Sequence, residues 1–217
     1  MSIPLSATHL RHLTALRGLP AIVDDEGLRI GHQYVMFFAE ADLMRQHAVG
    51  LIDGFTRPDV LEVGLGLAIF AEQLQDLDVG TYTAVEPHPG VARLAYWRVL
   101  DSFKAPAFLH TDAWQSLTLP HAAYDAIMYD TWPPDRYADS DFAAFVDHVA
   151  VPCLRPGGRF SFFHSSSALS QSRRDVLDRH FTHWATSAYT MPAASVPPHW
   201  TKASCDFLVP IATKGDA

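Results

Sequence analysis

Val60-Leu61-Glu62-Val63-Gly64-Leu65-Gly66 is the stretch on which the reading of this chain turns. Four strand-like residues, one of them acidic, run into two glycines spaced for a tight turn, and Leu67 to Leu74 then reads as a helix. Only small residues let backbone N–H groups crowd against a ligand at the carboxyl end of a parallel strand, and the helix that follows turns its positive pole to the same place. The expectation is a nucleotide-like cofactor cradled by Gly64 and Gly66.

Downstream, strands and helices alternate, the pattern of βαβ units and a parallel sheet. Val60 to Val63 is the first strand, Thr81 to Val85 the second, Ala107 to His110 the third and Tyr124 to Tyr129 the fourth, an almost unbroken apolar run suited to a sheet centre. Helices are expected over Val91–Ser102, Phe142–Cys153 and Arg173–Phe181. Leu154-Arg155-Pro156-Gly157-Gly158 reads as a turn before a fifth strand, Arg159 to Phe163, and Trp184–Tyr189 and Cys205–Ile211 as two late strands pairing antiparallel at the end of the sheet. Upstream, Leu10, Leu13 and Leu16 have helical spacing, Leu28-Arg29-Ile30 reads as a short extended piece, and Gln33 to Phe55 reads as one longer helix with Glu40 as the acid in its apolar first half. The chain thus divides into a helical cap, residues 1–57, and a core, residues 58–217, within a single domain.

Composition narrows the partners. With 217 residues, 48% of them hydrophobic, the chain is long enough for one globular core, and no apolar run approaches the roughly 20 residues of a bilayer span. A net charge of −8 and only 16 scattered Lys and Arg argue against a nucleic-acid surface. The 12 histidines form no HxxxH or HExxH pair and Cys153 and Cys205 no metal-like pair, so no metal is expected. Without a basic segment followed by an apolar stretch at the N-terminus, a cytoplasmic location is the default expectation. Nothing in the sequence chooses between a monomer and a homodimer.

Three further positions bear on the cofactor. Glu86 lies about twenty residues past the glycine turn, at the end of the second strand, where a carboxylate accepts both hydroxyls of a ribose. The plain alternative is an acid complementing the helix N-terminus before Val91. Asp112 and Trp114, after the third strand, fall where an adenine would lie, the acid accepting from the exocyclic amine and the ring stacking, although a turn cap and a core tryptophan are the plain alternatives. Nicotinamide dehydrogenases also open with a glycine turn, but Glu62 in the first strand and the corner Asp130-Thr131-Trp132-Pro133-Pro134 have no evident task in them.

With these motifs the chain resembles the class I S-adenosylmethionine-dependent methyltransferases, over residues 60 to 163. Within them it is similar to guanidinoacetate N-methyltransferase and related guanidino-group methyltransferases, over roughly residues 28 to 215. Val35-Met36 followed by Glu40 and Met44 looks like that family's V-M-x-x-x-E-x-x-x-M segment, Leu61 to Ile69 is similar to its LEVGFGMAI, and Ile127 to Pro133 is close to its ILYDTYP. Val196-Pro197-Pro198 and the tail Pro210 to Gly215 are also similar. The resemblance implies a Rossmann-like α/β fold, a seven-stranded mostly parallel sheet with an antiparallel end strand, and S-adenosyl-L-methionine as cofactor. It also implies that Met36, Met44, Leu65, Gly66, Leu67, Glu86, Trp114 and Asp130 contact or border that cofactor, to which Glu62, Gly64 and Asp112 are added from the reading above.

The implied substrate is a small cationic guanidino compound. A guanidinium is a poor nucleophile until its charge is balanced and a proton is drawn off, work suited to two carboxylates. The resemblance assigns them to Asp130, nearest the reacting nitrogen, and Glu40, a second anchor; Trp132, Ser165 and Ser166 would complete the substrate site. The chain departs from the family pattern in Phe37-Phe38 and Ala41-Asp42-Leu43 around Glu40, in Trp132 where the family has tyrosine, and in His164-Ser165-Ser166 where family backbone and a threonine hold the substrate carboxylate. These changes favour a guanidino compound other than guanidinoacetate, such as arginine or a metabolite derived from it. The competing readings are a methyltransferase for another small nucleophile, with Asp130 as general base, and a non-catalytic binding protein of the same fold.

Overall fold

The computed structural model describes residues 7–133 and 137–216, so that Pro134 of the proline corner lies outside the described residues. Helix α1 (Ala7–Arg17) comes first and is followed by three short strands, β1 (Ala21–Val23), β2 (Gly27–Ile30) and β3 (Gln33–Phe37), which form an antiparallel sheet of their own. A 3-10 turn, Phe38–Glu40, leads into α2 (Ala41–Ile52). The main sheet then begins with β4 (Asp59–Val63), in which every side chain from Val60 to Val63 is buried, as a strand covered on both faces requires.

After β4 come α3 (Ile69–Leu74), β5 (Thr81–Val85), α4 (Pro89–Arg98), β6 (Ala107–His110) and β7 (Tyr124–Tyr129). Helix α5 (Ala138–Phe145) passes through a π-helical turn, Val146–Ala150, into α6 (Val151–Cys153), and the chain closes with β8 (Leu154–Phe162), α7 (Gln171–His180), β9 (His183–Thr190) and β10 (Asp206–Thr213). The strand order is β6-β5-β4-β7-β8-β10-β9. The first five strands are parallel, and β10 runs antiparallel to both β8 and β9. This is the Rossmann-like seven-stranded sheet that the resemblance implies, with its reversed strand last in the chain and one place in from the edge.

Two apolar layers hold the sheet. On one face Val60, Tyr82, Ala84, Ala126 and Met128 pack with α2, α3 and α4. On the other, Leu61, Val63, Ile127, Phe160 and Phe162 pack with α5 and α7. Each fully buried Val, Leu, Ile, Phe or Met side chain among them contributes about 1.5–3 kcal/mol. Helix α2 owes its place to Met44, Ala48, Leu51 and Ile52, which recur every three or four residues and point at the same layer.

The N-terminal region differs from the helical cap expected of residues 1–57. Gln33–Phe37 is a strand, and the helix read from Gln33 begins only at Ala41. The extended segment Tyr34-Val35-Met36-Phe37 is rich in residues that suit a pleated surface, and β2 supplies its backbone partners, Leu28 opposite Met36 and Gly27 opposite Phe37. Its apolar residues run directly into those of α2 and so imitate a single helical recurrence. Smaller differences fall at the ends of elements: α4 stops at Arg98, α5 begins at Ala138, and the proline–glycine turn at residues 154–158 is the first half of β8.

The order of strands reverses between β4 and β7, and in an open α/β sheet ligands bind at that switch, outside the carboxyl ends. The glycine turn leaves β4 there and the Asp130 corner leaves β7 beside it.

Candidate active site

The turn after β4 is tightly engaged. Gly64 and Gly66 have φ of +92° and +52°, and a Cβ on Gly64 would collide with the Asp130 carbonyl. The Asp130 N–H in turn donates to the Val63 carbonyl at 2.8 Å, locking the two strand ends together. Around Gly66 the chain folds back on itself: the Met36 thioether accepts the Leu67 N–H at 3.3 Å, and the Gly66 N–H donates to Glu86 Oε2 at 3.0 Å. The other oxygen of Glu86 accepts the His88 N–H at 2.8 Å, and the His88 ring caps α4.

Two clefts meet at this point. The first encloses about 940 Å3, its open mouth included, and runs from Gly64 and Gly66 past Glu86 to Ala113, Trp114 and Gln115. Residues Leu13, Leu16 and Arg17 of α1 and Leu28 and Ile30 of β2 form its roof. Trp114 is buried edge-on against Phe145, their centroids 5.1 Å apart, and beneath it Gln115 and Tyr129 both donate to the Asp141 carboxylate. The second cleft is bordered by Tyr34, His164, Ser165, Ser166, Arg173 and Lys202. Val35, Asp130, Thr131, Trp132 and Pro133 face both.

Charge is concentrated at the junction. Burial raises the Asp130 carboxyl to about 7, an effect that Lys202 opposes and that Glu40 and Glu86 reinforce. Burial likewise raises Glu86 to about 7, with the His88 and Gly66 amides pulling the other way. Both groups therefore hold a proton in the folded protein over a range in which the unfolded chain, with ordinary values of 3.8 and 4.5, has released it. The stability they contribute is complete below about pH 4 and is lost as the pH rises to about 7. Across that window, Asp130→Asn and Glu86→Gln should each flatten the pH dependence of thermal unfolding, by roughly 1 kcal/mol per pH unit. Variant and wild-type slopes that coincide would refute the assignment.

The expected site residues separate into three groups. Gly64, Gly66, Met36, Glu86, Trp114, Asp130 and Trp132 line the first cleft, and Ser165 and Ser166 join Asp130 and Trp132 in the second. Met44, Leu65 and Leu67 are core residues with essentially no exposed surface, Leu67 reaching the site only through its amide. Glu62 also lies under the turn rather than in the cleft: it is buried on the face of the sheet shared with Tyr82, whose hydroxyl donates to it, and burial raises its carboxyl well above the usual range. Asp112 is exposed and borders neither cleft, whereas the buried Gln115 and Asp141 stand beside Trp114. Glu40 is buried at the end of the 3-10 turn, where its carboxylate accepts the Phe37 N–H at 2.9 Å and pairs with Lys202.

Lys202, Arg173 and the roof residues of α1 carry no local signal in the sequence. Lys202 and Glu40 are 162 residues apart, and the segment before β10 brings them together by packing on the N-terminal strands. No cluster of three or more His, Cys, Asp or Glu suited to a metal ion occurs among the described residues, and no helix among them is long and apolar enough to cross a membrane.

A family model described as guanidinoacetate N-methyltransferase matches residues 22–187. Protein arginine N-methyltransferase 2 of Emericella nidulans is 28% identical over 152 residues, covering 67% of this chain and 34% of that protein. The protein of the same name from Yarrowia lipolytica is 31% identical over 155 residues, covering 70% of this chain and 31% of that protein. The chain thus spans about a third of the length of these curated relatives. Among solved structures, the N-methyltransferase NodS from Bradyrhizobium japonicum in complex with S-adenosyl-L-homocysteine superposes with a TM-score of 0.64 at 15% identity, covering 96% of this chain and 99% of that one. The tRNA (m1A58) methyltransferase TrmI from Aquifex aeolicus gives a TM-score of 0.60 at 12% identity, covering 86% and 72%.

Proposed function

Because the chain belongs to the guanidinoacetate N-methyltransferase family, among the S-adenosylmethionine-dependent class I methyltransferases, we propose that it transfers a methyl group from that cofactor to a nitrogen of a small guanidino compound. The observation that carries this reading is the place of Asp130, facing both clefts with the Glu40 carboxylate close enough to act on it electrostatically. The first cleft suits the cofactor. Glu86 would accept the ribose hydroxyls, Trp114 and Gln115 would border the adenine, and the glycine turn leaves room for the amino-acid portion.

When bound, S-adenosylmethionine supplies an electron-poor methyl carbon on a sulfonium. The chain's own part is to prepare the nitrogen. Asp130, its carboxyl raised to about 7, would accept one guanidinium proton near neutral pH, leaving a nitrogen lone pair free to take the methyl group while the electrons of the broken C–S bond stay with the sulfur. The methylated product keeps one positive charge and the proton resides on Asp130. In the second cleft, His164, Ser165, Ser166 and Arg173 make a polar wall that supports a small acceptor with a polar or anionic far end.

The names of the curated relatives favour a second reading, in which the guanidino group belongs to arginine within a polypeptide. Incubation with labelled S-adenosylmethionine and guanidinoacetate, free arginine, an arginine-containing peptide, a phenol or a thiol separates the readings. Label on a free guanidino compound is the expected result. Label on the peptide alone would replace the first reading with the second, and label only on a phenol or thiol would exclude the guanidino class.

A further inference from the structure

Glu40, the second acid of the proposed acceptor site, is already occupied by the chain itself. One oxygen accepts the Phe37 N–H and the other pairs with the Lys202 ammonium, which sits 4.0 Å from the centroid of the Phe163 ring. The Lys202 side chain is 17% exposed and borders the second cleft, whereas that of Glu40 is 2% exposed and borders neither. The lysine therefore stands between the acid and any incoming cation. It is carried by a segment without regular structure that is pinned to the N-terminal strands: the His199 N–H donates to Glu26 at 3.0 Å, and the Trp200 ring packs 4.8 Å from that of Phe37.

The charged and titratable groups around Lys202 are few. Glu40 is its direct partner, Asp130 feels its charge, and Glu86 acts on Asp130 from the cofactor side; His164 and Arg173 stand on the other walls of the second cleft. An ammonium is a compact point charge, whereas a guanidinium is a planar fork of five donors able to span two carboxylates at once. An alkyl amine that displaced Lys202 would regain at Glu40 only the interaction the lysine gave up. A guanidinium would also engage Asp130.

We propose that Lys202 is an internal occupant of the acceptor's cation site and thereby a specificity-determining residue: a guanidinium displaces it from Glu40, and a simple ammonium does not. The choice of guanidinium as acceptor rests on the function proposed above, while the occupancy of the site by Lys202 is tested independently of turnover.

The test is calorimetric titration of protein saturated with S-adenosylhomocysteine, using methylguanidinium and n-butylammonium as probes. Wild type binds the first and not the second. In Lys202→Met the Glu40 carboxylate is left buried without a countercharge, so methylguanidinium should bind about tenfold or more tightly than to wild type and n-butylammonium should now bind as well. Lys202→Arg should bind methylguanidinium more weakly than wild type, because the occupant is then itself a guanidinium able to span both carboxylates. Thermal unfolding and S-adenosylhomocysteine affinity check that Lys202→Met is folded, and Lys202→Gln replaces it if it is not. Unchanged or weaker cation binding in the uncharged variant overturns the proposal. In turnover, the KM for the guanidino acceptor should fall by a similar factor. If wild type methylates no guanidine, the proposed function fails, yet the cation titrations still decide the role of Lys202.

Discussion

Asp130→Asn should lower kcat/KM for the guanidino acceptor by about 10²–10⁴-fold, the range typical of a lost general base. Asparagine keeps the shape and can still contact the acceptor, but it accepts no proton and carries no negative charge to balance the guanidinium. The loss should not come from misfolding. Above about pH 7 the wild-type carboxylate is ionised at a cost that burial imposes, and the amide is spared that cost. The variant should therefore unfold at the same temperature as wild type or higher at pH 8. Steady-state kinetics and thermal unfolding at that pH give both results, and a near wild-type rate would remove Asp130 from the chemistry.

Gly64→Ala is expected to be the most disruptive single substitution at the site. At φ of +92° an L residue is strained, by about 1–2 kcal/mol. Its Cβ would also meet the Asp130 carbonyl, a backbone atom held in place by the hydrogen bond from Asp130 to Val63. Overpacking of this kind adds about 1–3 kcal/mol, a large share of the roughly 5–15 kcal/mol that stabilises an ordinary domain. Denaturant unfolding should show the loss, and S-adenosylhomocysteine binding should fall with it. Gly54→Ala is the control, because Gly54 has φ of +77° but open space around it. Equal losses in the two variants would show that backbone strain alone, and not contact with the Asp130 carbonyl, limits this turn.

The central strands were legible because they are short, largely apolar runs followed by turn residues. Thr81–Val85, Ala107–His110 and Tyr124–Tyr129 lie where the sequence places them. The glycine turn, Glu86 and the Asp130 corner were legible for a related reason, since all three follow directly from strand ends. Gln33–Phe37 was not, because the strand that pairs with it supplies its backbone partners and its apolar residues merge with those of α2. Spacing could not reveal which apolar residues near the turn open to the cleft: Met36 does, whereas Met44, Leu65 and Leu67 are sealed in the core. The pairing of Lys202 with Glu40 is a product of tertiary closure, and no local pattern announces it.

The five residues that border both clefts act as a party wall between two rooms. Val35 and the Asp130 to Pro133 corner cannot be enlarged toward one ligand without being taken from the other. On the proposed function, a change of acceptor during evolution, or by design, falls on the far side of the second cleft, at Ser165, Ser166, Thr201 and Lys202. On the same reading, drift there leaves the first cleft untouched, so a family built on this plan can diversify what it modifies while the wall itself stays fixed.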